Sequence, residues 1–231
     1  MRAIALVALL ACGSQGAPKP QPQGDDPVEG PRYEGRRIAA TCSYLGADWL
    51  DRPDREAREQ PEKVLDLLRI GSGMTVADVG AGTGYFTVRM ARRVGTRGEV
   101  LATELQPEML RLLDANVSRE GLRNVRLIRA EEHRANLPER CCDLVLLVDV
   151  YHELTDPPGV MAGIRRALRE KGRLALVEYR GEDPDVPIKP EHKMTLKKLR
   201  AELEPLGFRF VAAHEDLPDQ RVVEFVRDDA F

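Results

Sequence analysis

One stretch constrains this chain more than any other. Val76-Ala77-Asp78-Val79-Gly80-Ala81-Gly82-Thr83-Gly84-Tyr85-Phe86 runs from a short apolar segment through three alternate glycines into residues at helical spacing. A strand, a glycine loop and a helix in that order form the context that a nucleotide-binding loop requires. Glycine permits positive φ and lets a ligand approach bare backbone. Such a loop can also be a plain tight turn, so the spacing matters. The order is G-x-G-x-G, and Tyr85 stands where G-x-G-x-x-G would need its last glycine. That disfavours a dinucleotide with a pyrophosphate, and with it a nicotinamide dehydrogenase. Glu104 lies at the end of the next strand, twenty residues past Gly84. An acid there can accept both ribose hydroxyls of an adenosine; its bland reading is a solvated loop carboxylate.

The rest of the chain supports an α/β reading. Periodicity predicts a helix over 55–70, with Val64, Leu65, Leu67 and Leu68 on one stripe and Gly71-Ser72-Gly73 as its stop. Strands follow at 75–79, 99–103 and 125–129, with helices between them at Phe86 to Val94 and from Pro107. Residues 143–150 are the most apolar strand, as expected for the middle of a sheet covered on both faces. A helix through Val160, Met161, Ile164 and Leu168 precedes a strand at 172–179. A last helix carries Leu196, Leu199, Leu203 and Leu206, and a strand pair at 208–212 and 221–226 closes the chain. Alternation of this kind argues for a doubly wound sheet.

The first residues read differently. Arg2, the apolar stretch Ala3 to Ala11 and the small residues after it have the form of a secretory signal. Leu9-Leu10-Ala11-Cys12 resembles the bacterial lipoprotein lipobox, which implies lipidation at Cys12. From Gly13 to Pro31, 12 of 19 residues are Gly, Pro or Gln, which is too little apolar surface to offset ordering entropy. The expected organisation is therefore a signal over 1–12, a disordered tether over 13–45 and one folded domain over 46–231. The expected place is the cell envelope, through an N-terminal lipid anchor, or the cytoplasm if residues 1–12 are no signal. The 35 basic and 38 acidic side chains leave no excess for a nucleic-acid partner. The four cysteines lack disulfide-scaffold or zinc spacing, so no metal is expected. Cys142 reads as a buried thiol. Oligomeric state is not encoded in any pattern here.

From Glu56 to Phe225 the sequence resembles the class I S-adenosylmethionine-dependent methyltransferases. Asp78 to Gly84 looks like that family's first motif, and Glu104 matches its ribose-binding acid. Ala130-Glu131 stands where the family has a Gly-Asp pair whose carboxylate meets the adenine. Val150-Tyr151-His152-Glu153-Leu154 and the run Ile164 to Val177 resemble the ubiquinone and menaquinone branch. The resemblance implies a Rossmann-like, doubly wound, seven-stranded sheet, mostly parallel with one antiparallel strand, and helices on both faces. It implies S-adenosylmethionine as cofactor and a small-molecule acceptor. It assigns Asp78, Gly80, Ala81, Gly82, Gly84, Glu104, Leu105, Glu131 and Asp149 to the cofactor. Asp149 could equally cap a loop.

Several side chains are candidates for the acceptor side, because ligands of open α/β sheets lie beyond the carboxyl ends of the strands. His152, with Tyr151 beside it, could act as a base or contact the acceptor, or be a histidine bonded into a loop. His192 and Glu178 follow or end the fifth strand and could wall the acceptor, though a solvated charge run is the commoner meaning. Trp49, Arg52 and Arg55 could equally form a lid over the acceptor or a structural staple. An exported protein and a cytosolic cofactor are in tension, which leaves a second expectation: a non-catalytic or repurposed S-adenosylmethionine-binding lipoprotein.

Overall fold

The computed structural model describes residues 30–230. Cys12, the signal and residues 13–29 of the tether lie outside the described residues. Residues 30–45, the last sixteen assigned to the tether, do not. Arg32–Tyr33 (β1) and Arg36–Arg37 (β2) pair antiparallel through Glu34 and Gly35, both at positive φ. Ile38 and Ala39 are buried. Composition misplaced the boundary because a few anchors hold this segment. Arg36 Nε donates to both oxygens of Glu202, its Nη1 donates to His152 O at 3.0 Å, and Ala39 N donates to the same carbonyl.

Three short helices follow: Ala47–Leu50 (α1), Arg55–Glu59 (α2) and Pro61–Leu67 (α3). The single helix expected from residue 55 is broken at Gln60, which has φ of 46°. The residue before a proline is disfavoured in the helical region, so the chain kinks there and restarts with Pro61 in the first turn. The alternating part comprises Thr75–Val79 (β3), Tyr85–Val94 (α4), Glu99–Glu104 (β4), Pro107–Arg119 (α5), Val125–Arg129 (β5), Cys142–Val148 (β6), Pro157–Ala167 (α6) and Leu168–Arg180 (β7). Lys193–Met194 (β8), Leu196–Leu203 (α7), Phe208–His214 (β9) and Gln220–Arg227 (β10) complete it. β7 runs through Glu170-Lys171-Gly172 without a break, with a register irregularity opposite Cys142.

The sheet order is β5-β4-β3-β6-β7-β10-β9, and β8 adds a two-residue pairing to β7. β10 runs antiparallel to both of its neighbours, and the remaining pairings are parallel. This is the doubly wound sheet with one reversed strand that the sequence implied. Strand periodicity divides the core into two faces. Val76, Leu144, Leu146, Ala175 and Val177 pack with Val64, Leu65, Phe86 and Met90 of α3 and α4. Their neighbours Ala77, Val145, Leu147, Leu174 and Leu176 pack with Met161, Ile164, Leu199 and Leu203 of α6 and α7.

Candidate functional site

The parallel register decides what meets at the carboxyl edge. Val79 of β3 pairs with Thr103 of β4, so both strands end side by side, with Gly80 and Glu104 next in line. Thr103 O then accepts from the amides of Gly80 and Ala81 at 2.9 and 3.0 Å, bending the loop over the end of β4. Glu104 is 6% exposed; its Oε2 accepts from Gly82 N at 3.1 Å and its Oε1 from Gln106 N at 2.8 Å. The glycine loop and the acid one strand over therefore touch. Leu105 follows Glu104 at this edge, half-buried.

Glycine is required here for two reasons. Gly80, Gly82 and Gly84 have φ of 72°, 56° and 94°, where an L side chain is strained. A Cβ on Gly80 would come within 2.5 Å of Val150, and one on Gly82 within 2.9 Å of Leu50. Asp78 is buried below the loop and accepts from the Thr87 hydroxyl at 2.5 Å. Burial lifts its carboxyl to about 6, against the hydrogen bond from Thr87 and the charge of Arg55; Glu104 adds to the rise. A cavity of about 50 Å³ lies against the loop, lined by Leu50, Arg55, Asp78, Gly82, Phe86 and Val148 among others. That volume holds one or two waters.

Trp49, Arg52 and Arg55 are part of this cover. Arg55 bonds Glu59 at 2.6 Å and the carbonyl of Leu50, Arg52 bonds the other Glu59 oxygen at 2.6 Å, and the Arg52 guanidinium stacks over Trp49 at 4.2 Å. Thr83 Oγ1 donates to Asp51 Oδ1 at 3.0 Å. The staple reading of the trio holds: Arg52 and Arg55 are tied to Glu59, with Arg55 beside the glycine loop. Tyr85, in the place of the missing glycine, opens α4. Its ring lies between Arg55 and Arg89, at 4.1 and 3.8 Å.

The second region follows β6. Val148 pairs with Val177 of β7, so Asp149, the first residue past β6, stands beside Glu178 within β7. Asp149 has φ of 55° and accepts from Gln220 Nε2 at 2.7 Å; its Oδ1 is buried without a partner, as is Gln220 Oε1. Burial, then the charges of Glu59 and Glu178, push the Asp149 carboxyl well above the usual range. Gln220 carried no sequence signal, since it reaches Asp149 only through the pairing of β10 with β7. Val150 turns onto Gly80, and Tyr151–Glu153 forms a single helical turn.

Here the sequence expectations divide. His152, Glu178 and His192 come together. The buried Glu178 carboxylate accepts from Tyr151 N at 2.9 Å and from His152 Nδ1 at 2.5 Å. His152 Nε2 faces His192 Nδ1 at 3.1 Å, with the rings edge to face. His192 arrives because Lys193 of β8 pairs with Tyr179 of β7. Burial opposes charge on His152, yet the Glu178 carboxylate outweighs it and lifts the imidazole to about 9. Burial, then the charge on His152, lowers His192 to about 4. Glu153, quoted in the motif but not singled out, completes the cluster: its Oε1 lies 4.0 Å from His152 Nε2, and burial raises its carboxyl to about 7. A cavity of about 270 Å³ flanks His192, lined by Arg36, Arg37, Pro190, Glu191 and Lys193.

Two expectations are corrected. Tyr151 turns away: its hydroxyl is buried and donates to Glu202 Oε2 at 3.0 Å, so it belongs to the packing of α7 and not to the site. Glu131 is exposed and bonds Arg134 at 3.0 Å and Asn136 at 3.3 Å in its own turn. Only the backbone of Ala130 reaches Glu104, so the structure does not bring the Glu131 carboxylate to the loop.

Comparison with known proteins agrees with this geometry. The family profile described as a methyltransferase domain matches residues 70–217. The ubiquinone/menaquinone biosynthesis C-methyltransferase UbiE of Pasteurella multocida is 31% identical over 121 residues, covering 50% of this chain and 43% of that protein. The chain thus spans less than half the length of such relatives. The crystal structure of an S-adenosylmethionine-dependent methyltransferase from Aquifex aeolicus is similar with a TM-score of 0.76 and 29% identity, covering 80% of this chain and 98% of that one. The TehB-like methyltransferase of Corynebacterium glutamicum, at a TM-score of 0.60 and 17% identity over 80% of this chain and all of that one, shares the fold. With the profile matching more than half of the chain and the sheet order in agreement, the chain belongs to the class I S-adenosylmethionine-dependent methyltransferases.

Proposed function

We propose that this protein transfers a methyl group from S-adenosylmethionine to a small-molecule acceptor bound against the loop after β6. The observation that carries the reading is the hydrogen bond from Gly82 N to Glu104. It sets a buried acid beside bare backbone, and a carboxylate has acceptor sites left for two ribose hydroxyls. Gly80, Ala81, Gly82 and Gly84 would give backbone approach to the donor, with Asp78 and Leu105 flanking it. The unpartnered Asp149 Oδ1 fits a polar group of a ligand at this edge. An adenosine exceeds the 50 Å³ now open, so Leu50 and its helical turn would move off Gly82 to admit it.

S-adenosylmethionine, when bound, supplies a methyl group already activated on a sulfonium. The protein then chiefly orients the acceptor and excludes water. Val150 sets the acceptor loop directly on the glycine loop. His152, fixed through Nδ1 by Glu178, and His192, set against its Nε2, would provide imidazole nitrogens to contact the acceptor.

The test is calorimetric titration with S-adenosylhomocysteine. The parent protein binds it and does not bind NAD. Glu104→Ala weakens binding about 100-fold, from loss of hydrogen bonds to a charged group. Unchanged affinity in that variant would remove the ribose assignment. We further propose, from Arg2 to Cys12, export and lipidation at Cys12. Membrane fractionation that does not change in Cys12→Ser would defeat that part. A purified protein that binds the donor but methylates no acceptor would favour the non-catalytic reading.

A further inference from the structure

The cluster beside the glycine loop has the composition and fixation of a metal centre. Glu178 binds His152 at Nδ1, so the other ring nitrogen, Nε2, is turned toward His192. A carboxylate behind a histidine in this way is the usual support of a metal ligand, because it sets the tautomer and the ring plane. The backbone of His152 is fixed too, through the bonds of its carbonyl to Arg36 and Ala39. Nε2 meets His192 Nδ1 at 3.1 Å, and the Glu153 carboxylate completes a set whose ligand atoms all lie within 4.8 Å of one another. Two nitrogens at about 2.0–2.1 Å from one ion stand about 2.9 Å apart in an octahedral site and about 3.3 Å apart in a tetrahedral one. The observed separation of 3.1 Å falls between these. Glu153 has to close by about 1 Å to join them. It sits on a single helical turn with its side chain 14% exposed, so a change of rotamer is open to it.

We propose that His152 Nε2, His192 Nδ1 and the Glu153 carboxylate bind one divalent first-row transition-metal ion, positioned by Glu178. Two imidazoles and one carboxylate suit zinc, iron or cobalt, and disfavour magnesium and calcium, which take oxygen ligands. Three protein ligands leave positions for water or for an oxygen of the acceptor. This last point rests on the proposed function; the metal site itself does not. An ion there would hold the acceptor's oxygen at the mouth of the methyl-donor cleft and stabilise it as an anion. The acceptor class that follows is a small molecule bearing a hydroxyl or enol oxygen.

The test uses the full chain, stripped with a chelator and titrated with Co²⁺ at neutral pH. One Co²⁺ per chain should bind with visible d–d absorption, and Zn²⁺ should displace it and raise the melting temperature. His192→Ala and Glu153→Gln should each lose at least about 100-fold in Co²⁺ affinity, since even an outer partner is worth 10–100-fold; Glu178→Gln should lose about that outer-partner amount. His192 and Glu153 are not core residues, and unchanged circular dichroism separates lost ligation from lost folding. Absence of the visible band, or equal Co²⁺ affinity in His192→Ala and Glu153→Gln, overturns the site. S-adenosylhomocysteine is titrated in parallel. Binding of it without Co²⁺ binding defeats the metal site alone. Co²⁺ binding without it defeats the donor reading and leaves the metal site standing. Glu104→Ala should keep the full Co²⁺ affinity.

Discussion

The two halves of the proposed site are built from different materials. The donor half is backbone: amides of Gly80 to Gly84, bent over Thr103, with one acid alongside. Its parts lie within one strand–loop–helix unit and the end of the next strand. The acceptor half is side chains: His152 and Glu153 from the loop after β6, Glu178 from β7 and His192 from the turn before β8. A backbone site tolerates few substitutions but makes few chemical choices. A side-chain site can change its chemistry one residue at a time. Val150, packed against Gly80, joins the two halves.

Three variants can break or sharpen the contrast. The largest effect is expected in the donor half. Gly80→Ala combines a left-handed backbone with a clash against Val150, which together should cost about 2–5 kcal/mol of stability. A loss below about 1 kcal/mol in chemical denaturation would mean that the loop yields easily and that the backbone argument fails.

Asp78→Asn should have the opposite sign. The native carboxyl titrates near 6, above its ordinary value of 3.8, with Arg55, Glu104 and Thr87 as the groups facing it. A folded-state pKa raised in this way penalises the ionised native protein above pH 6. The parent therefore loses stability as pH rises from about 4 through 6, whereas the variant does not. At pH 7 the variant should be more stable by about 2–3 kcal/mol, and the gap should close near pH 4. Denaturation at both pH values checks this; a gap that does not change with pH would sink it.

Tyr151→Phe carries the smallest effect. It removes one hydrogen bond to Glu202, which keeps its pair with Arg36, so about 1 kcal/mol should be lost. Affinity for S-adenosylhomocysteine should not move. A change in affinity without a change in stability would return Tyr151 to the site.

Much of the scaffold was legible in the sequence. Apolar runs and helical spacing mark seven strands of the main sheet and the helices that cover it, because burial on both faces leaves an apolar run; β8, two residues long, leaves none. The errors lie where one residue overrides a pattern. Pro61 forces Gln60 out of the helical region and splits a stretch whose spacing reads as one helix. Arg36 and Ile38 anchor a segment whose composition reads as tether. Tyr151 and Glu131 stood in the right motifs, but their side chains are committed to Glu202 and to Arg134 and Asn136.

The sequence by itself determined the donor half, since a glycine loop between a strand and a helix is a local statement, and Glu104 follows from the length of one helical crossover. The sequence also named His152, Glu178 and His192, but only tertiary structure decided that they come together. His152 and His192 are forty residues apart and share no spacing. They meet because β8 pairs with β7, and Gln220 reaches Asp149 because the reversed strand β10 lies on the other side of β7. Contacts made across a sheet depend on strand order and register, and neither leaves a periodic trace in the chain.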